Sequence, residues 1–327
     1  MFRVIRRIFR SIVNRKFTKL TAMTDTVFPT SLKGFGYAFD EGGKLRKLDQ
    51  STGLTTDDGF EFNVTEDHAY NQKRYEALGQ VIDLHIYDLL EKEGLKKLFV
   101  PKEAPSKAPE LKSFIFVSED ALLNDKLVIL IHGSGVVRAG QWARRLIIND
   151  NLETGTQLPY IRKARELGYA VMVLNTNDNF RTVNGKPTEI PGSKDPHSHV
   201  DTVWKQYIEP SNAKHVAIVA HSYGGVCVVK LAVDHSEEFR RRVFAVGLTD
   251  SVHTIPAAKN TKHILKVARN WVSSEKPLDT PERTPDGDIE RRSAGHPTHE
   301  MTSYSCMESL FQFVEERFNE ARGKSDL

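Results

Sequence analysis

The chain has 327 residues, 39% of them hydrophobic and 27% charged, with a formal net charge of +3. That length suits one large α/β unit, and no apolar run approaches the roughly 20 residues of a bilayer-spanning helix, which excludes a polytopic membrane protein. The two cysteines, Cys227 and Cys306, are too few for a disulfide framework or a zinc site and read as small buried hydrophobes in a reducing compartment.

Charge is unevenly spread. Residues 1–24 hold seven Lys/Arg and no acid, and setting them aside leaves 39 basic against 43 acidic side chains. A mildly acidic body is a poor footprint for direct nucleic-acid binding, so any RNA contact is expected through a local patch or a partner protein. Within residues 1–20, Phe2, Ile5, Phe9, Ile12 and Val13 recur near helical spacing between arginines. That pattern fits a mitochondrial presequence or a basic helix on an anionic membrane. It fits equally a disordered basic tail, or a start codon upstream of a true start at Met23. Residues 1–30 are therefore expected to be a tail, and residues 31–327 one domain.

Gly34–Phe39 and Lys44–Leu48 flank Asp40-Glu-Gly-Gly and predict a β-hairpin. Tyr75, Leu78, Ile82, Ile86, Leu89 and Leu90 share one face of a helix expected from about Asp67 to Glu93, with Gly94 as its C-cap. Strands are expected at Leu98–Val100 and Phe114–Val117, on either side of a Pro/Lys-rich loop, and at Leu127–Ile131. A helical turn or two follows at 141–149, then a helix at 158–167, the strand Ala170–Leu174, and a polar loop from Thr176 to His199. A helix at Val200–Ile208, the strand His215–Ala220, a helix at 224–234 and the strand Val243–Thr249 come next. A helix at about 257–269, a short strand Trp271–Ser273, a loop over 274–298 and a final helix Met307–Arg317 complete the chain. Unbroken apolar strands alternating with helices indicate a mostly parallel sheet with helices on both faces.

The strand 215–220 runs through Ala220-His221-Ser222-Tyr223-Gly224 straight into a helix. This is the strand–turn–helix nucleophile elbow G-x-S-x-G with alanine at its first position, and it makes the fold class α/β, of the α/β-hydrolase-like kind, with the hairpin and long helix as an N-terminal extension. Small flanking residues are needed because the serine sits on a strained turn. The strand 127–131 ends in His132-Gly133-Ser134-Gly135, the position of an oxyanion loop, with the Tyr223 N–H as second donor. Ser222 is thus the candidate nucleophile and His299, just before the last helix, the candidate base, with His296 as competitor. For the acid, Asp250 ends a well-defined strand and is preferred, while Asp279 follows the next strand in a Pro-flanked loop. Acyl transfer by such a set needs neither metal nor organic cofactor.

The stretches KSFIFVSEDAL (112–122), LIHGSGVVRAGQWARRLIIN (130–149), VAHSYGG (219–225), LTDSVH (248–253) and NWVSSEKPLDT (270–280) resemble the Argonaute-binding-protein-two domain family, in its animal branch of cotranscriptional regulators. GFGYAF (34–39) and NQKRYEALG (71–79) belong to the same pattern, and the likeness runs from about Leu32 to Phe318. The resemblance implies an α/β-hydrolase-like domain with its serine nucleophile at Ser222. It also implies partners among Argonaute-type and chromatin proteins, roles in small-RNA-guided heterochromatin assembly or chromatin–splicing coupling, and a place in nucleus and cytoplasm. The family's long Lys/Arg-rich insertion, which could carry an import signal, is missing between Asn175 and Val200, so the tail leaves a mitochondrial or membrane-surface location as the alternative. Two readings of function follow: a working serine hydrolase for an ester, thioester or amide, or a scaffold that keeps the fold for binding.

Overall fold

The computed structural model describes residues 27–325 apart from 104, 107 and 258. The basic stretch predicted over residues 1–20 therefore lies outside the described residues.

The hairpin forms as β1 (Tyr37–Phe39) and β2 (Leu45–Lys47), antiparallel around a turn in which the Asp40 carboxylate accepts from the Lys44 N–H. Helix α1 (His68–Lys92) starts where Asp67 accepts from the N–H groups of Ala69 and Tyr70, and it ends before Gly94 at φ 83°. Its buried stripe holds Leu78, Ile82, Ile86 and Leu90. Then come β3 (Lys96–Val100), β4 (Ser113–Val117) and β5 (Lys126–Ile131), and the short helices α2 (Arg144–Asn149), α3 (Leu152–Gly155) and α4 (Leu158–Glu166). The strand β6 (Ala170–Val173) precedes a hairpin of β7 (Phe180–Val183) and β8 (Lys186–Glu189). Helix α5 (Pro196–Val203) widens into a π-helical turn at Trp204–Ile208 before β9 (His215–His221). The rest is α6 (Tyr223–Asp234), α7 (Ser236–Arg242), β10 (Val243–Thr249), α8 (Lys262–Val267), β11 (Ala268–Val272), β12 (Glu290–Ser293), α9 (Thr302–Ser305) and α10 (Met307–Ser325).

Eight strands make one sheet in the order β12-β11-β10-β9-β5-β6-β4-β3. Pairing is parallel from β12 to β6 and antiparallel for β6–β4 and β4–β3. Alternate residues of each apolar strand feed two cores. Val128, Leu130, Val219 and Ala245 face the stripe of α1 and the Phe311–Val314 side of α10. Leu127, Ile129, Ile218 and Val246 face Val203, Trp204, Val228 and Ile264 of the other helical layer. The fold is the expected α/β one, a mostly parallel sheet covered on both faces.

Several boundaries differ from expectation, each where polar sequence hides the element. The helix expected from Val200 begins at Pro196, capped by Asp195, whose side chain accepts from the Ser198 N–H. His199 inside it looks polar but is fully buried, between the Ser193 hydroxyl and the Asn175 N–H. The expected loop 176–199 holds the β7–β8 hairpin, turned at Asn184-Gly185 with φ of 50° and 74°. That dipeptide is a hairpin signal, but both strands are largely exposed and lack apolar alternation. The helix expected at 257–269 is only Lys262–Val267 after a 3₁₀ turn at Lys259–Thr261, because the chain turns into β11 at Ala268. The loop 274–298 contains the polar edge strand β12, whose Glu290 pairs with Arg269 of β11. Helix α7 is polar, and α10 runs past Arg317 to Ser325.

Candidate active site

Strand register assembles the site. Ile131 pairs with Ala220 across β5 and β9, and Thr249 with His221 across β9 and β10. The chain therefore leaves three strands at one level of the carboxyl edge, and the next residues are His132-Gly133, Ser222 and Asp250.

Ser222 has φ 52° and ψ −119°, a backbone state that residues with a side chain avoid unless the surroundings enforce it. Its N–H donates to the Thr249 carbonyl at 3.0 Å, and its own carbonyl accepts from the Gly225 N–H at 3.2 Å. Space explains the neighbours. A Cβ on Gly225 would lie 1.9 Å from the Ser251 hydroxyl oxygen, and one on Gly133 3.1 Å from the Ser222 Cβ. A Cβ on Gly224 would lie 2.8 Å from the carbonyl oxygens of both Ile131 and His132. Those obstacles are backbone and cannot swing aside. Gly224→Ala is expected to cost about 1–3 kcal/mol, read as a lower midpoint in urea unfolding.

The His132–Gly135 loop sits against Ser222, but only as backbone. The His132 ring is buried, with Nδ1 2.8 Å from the Gly133 carbonyl oxygen and Nε2 unpartnered, and burial pulls its pKa down to about 4. Asn177 Nδ2 donates to the carbonyls of Gly133 and Val137 at 2.9 and 3.1 Å. Arg144, paired with buried Asp83 of α1, donates to the Val136 carbonyl at 2.6 Å. These anchors are remote in sequence, and spacing alone gives no sign of them. Ser134 and Gly135 are exposed, and Gly135 has φ +110°. Tyr223 opens α6, so its N–H has no intrahelical acceptor. Its hydroxyl meets His197 Nε2 at 3.1 Å.

Asp250 also has positive φ, 45°, and its Oδ2 lies 2.6 Å from His299 Nδ1. The other oxygen, Oδ1, accepts from the Ser273 N–H at 3.1 Å. Burial pushes the Asp250 carboxyl up, but the bonds from His299 and Ser273 outweigh it and hold its pKa below the ordinary value. The same bond raises His299 above the ordinary histidine value, against the pull of burial. With Nδ1 engaged, Nε2 is the nitrogen left for a substrate-side proton. His299 rests on His221, ring centroids 4.6 Å apart. His221 is buried and bonded to Thr249 Oγ1, and burial lowers its pKa to about 3, so it stays neutral beneath the base. The competitors are occupied elsewhere. Asp279 accepts from Trp271 Nε1 at 2.8 Å and from the Ser309 hydroxyl at 2.6 Å, and His296 Nδ1 accepts from the Thr298 N–H.

A neighbouring relay was not anticipated. Ser251 Oγ lies 2.8 Å from His253 Nδ1, and His253 Nε2 lies 3.0 Å from Asp288 Oδ1, which Arg291 pairs from the far side. It fixes the segment that follows Asp250. The signal available was Ser251-x-His253, but Asp288 comes from a region that looked like plain loop. Among the described residues no group of three or more His, Cys, Asp or Glu is placed to hold a metal ion.

The chain is similar to proteins from distant organisms. It is 42% identical to a chicken protein named cotranscriptional regulator ARB2A homolog, over 91% of this chain and 83% of that one. It is 41% identical to the human cotranscriptional regulator ARB2A, over 88% and 81%, and 32% identical to a Dictyostelium discoideum homolog, over 87% and 79%. Among solved structures, the histone deacetylase Clr3 is matched with a TM-score of 0.47 at 14% identity, over 74% of this chain and 39% of that one. A bacterial heroin esterase is matched with a TM-score of 0.31 at 18% identity, over 57% and 52%. Likenesses that loose leave the fold class resting on the strand order itself. The Arb2 domain model matches residues 28–278, which takes in Ser222 and Asp250 and stops short of His299. With that match and relatives above 40% identity along nearly the whole length, the chain belongs to the Arb2 domain family.

Proposed function

We propose that this Arb2-family regulator retains a working serine hydrolase site made of Ser222, His299 and Asp250. The reading is carried by one observation: a serine held at positive φ at the end of β9, on the sheet edge where Asp250 grips His299 Nδ1. In the reaction, Ser222 Oγ attacks an ester, thioester or amide carbonyl while His299 Nε2 takes its proton. The oxyanion meets the Tyr223 N–H and the His132–Gly135 backbone, and the proton passes to the leaving group as the acyl-serine forms. Water then repeats the sequence to release the acid. Asp250 keeps the imidazole in the right tautomer and supports its charge. Residues 31–327 act as one domain in this reading.

The test is labelling by a fluorophosphonate, which reacts only with an activated serine. A chain that folds and does not label acts as a scaffold instead. The pH profile supplies a second check. His299 serves as a base only when neutral, and Asp250 holds its pKa above the ordinary value of about 6.5. The labelling rate should thus rise with pH, with a midpoint above that value. Stability runs the other way through the same group. The His299–Asp250 attraction contributes fully below the unfolded histidine pKa and fades as pH rises through the folded one. A rate midpoint below 6 would argue against His299 as the base.

For cellular role, the family supplies the reading: action beside Argonaute-type and chromatin proteins in small-RNA-guided heterochromatin assembly or splicing, in nucleus and cytoplasm. RNA contact is indirect, because the body outside the first 24 residues carries more acid than base. The seven basic side chains of that first stretch favour one rival, a mitochondrial or membrane-bound esterase. Imaging the full chain beside a version that starts at Met23 separates them: a purely mitochondrial full chain with a cleaved tail ends the chromatin reading.

A further inference from the structure

At the sheet edge opposite Ser222, the amino ends of β9 and β10 open into a cleft of about 1200 Å³. Six permanent cations line it, Lys214, Arg240, Arg241, Arg242, Lys266 and Arg317, against two carboxylates, Asp125 and Glu320. The rest of the chain beyond residue 24 is net acidic, so this is a local concentration of positive charge on a body of opposite sign. Like charges crowded together cost stability unless something offsets them.

Some of that charge is used within the fold. Arg242 donates to the carbonyls of Ile208, Glu209, Ser211 and Ala213 and pairs with Glu238, which also holds Arg241. Arg317 pairs with Glu320, yet its Nε is buried without a partner. The remaining cations have little to hold. Lys214 reaches Asp125 only at 4.0 Å, and Arg240 and Lys266 are exposed with no hydrogen bond or ion pair among the described residues. The three come from different walls: Lys214 just before β9, Arg240 on α7 and Lys266 on α8.

We propose that this cleft binds a compact small molecule bearing several phosphate groups. Cations on separate walls suit a ligand with charge on several sides, and arginine forks match phosphate oxygens in pairs. The volume exceeds what one phosphate ion fills. A single-stranded nucleic acid would want exposed aromatic rings to stack its bases. Of the rings lining the cleft, Phe244 is only 7% exposed and packs on Tyr169 and Phe318, while the half-buried imidazoles of His215 and His263 are held by Asp125 and the Val243 carbonyl. The cleft is also bounded rather than a stripe that could track a polymer backbone.

Isothermal titration calorimetry of the full chain with inositol hexakisphosphate tests the proposal. The expected result is saturable binding at one site that weakens steeply with added salt, while inorganic phosphate binds far more weakly. Replacing Arg240→Ala and Lys266→Ala together should weaken binding by about tenfold per charge removed, with an unchanged circular dichroism spectrum because neither side chain supports the fold. Ser222→Ala should bind as the unsubstituted chain does. No saturable binding, or binding that survives the double substitution, overturns the proposal. So does tighter binding of a single-stranded RNA oligonucleotide or a polyglutamate peptide than of the inositol phosphate, which would assign the cleft to a macromolecule.

Discussion

Fluorophosphonate labelling disappears in Ser222→Ala while the fold persists; that is the largest effect the site predicts. Turnover of any ester substrate should fall by about 10⁶-fold, as it does when the nucleophile of a serine–histidine–acid set is removed. The substitution is mild for the structure because Gly133, Gly224 and Gly225 keep the elbow's close approaches. Alanine must still hold Ser222's positive φ, which serine bears no more easily, so the thermal midpoint should move little. Ser134 is the control. It stands exposed in the loop that faces Ser222, and it lacks the positive φ that sets Ser222 on its elbow. Labelling that survives in Ser222→Ala, or that moves to Ser134, would remove the assignment. Intact-mass spectrometry reads both outcomes directly, since each labelled chain gains one phosphonyl group.

Much of the fold was legible because its central strands are buried on both faces. Leu127–Ile131, His215–Ala220 and Val243–Thr249 read as unbroken apolar runs, and they lie side by side in the sheet. Periodicity failed where burial or exposure did not follow polarity. His199 is polar and fully buried, so the first turn of α5 looked like loop; β12 is polar and pairs through ions at an edge, so it looked like loop as well. The meeting of Asp250 with His299 depends on a separation of 49 residues that no local pattern constrains. Strand ends gave Ser222 and Asp250, and register brought them together, while His299 enters from the 3₁₀ turn before α9. The supports of the site were out of reach altogether. Asp83 and Arg144 are 61 residues apart, and their tie to the Val136 carbonyl shows only when α1 packs beside the loop.

Asp250→Asn should lower turnover by roughly 10⁴-fold, the penalty for presenting the wrong histidine tautomer. The argument is geometric. An asparagine at 250 can turn its amide N–H₂ toward His299 Nδ1, which then accepts, so the proton moves to Nε2, where it blocks the base. The Ser273 N–H still finds an oxygen on the other side, which keeps the loop in place. The acid limb of the pH profile should move down as well, because the carboxylate that raises His299 is gone. Asp279→Asn makes the contrast. Its carboxylate is engaged by Trp271 Nε1 and the Ser309 hydroxyl, tying the loop after β11 to α10. Losing part of that tie should cost about 1 kcal/mol of stability and leave turnover within a few-fold of the unsubstituted chain. Measuring both variants by labelling rate and by urea midpoint separates catalysis from folding. An Asp279→Asn chain that loses its rate while Asp250→Asn keeps it would transfer the acid to Asp279 and leave the 2.6 Å contact at His299 a structural one.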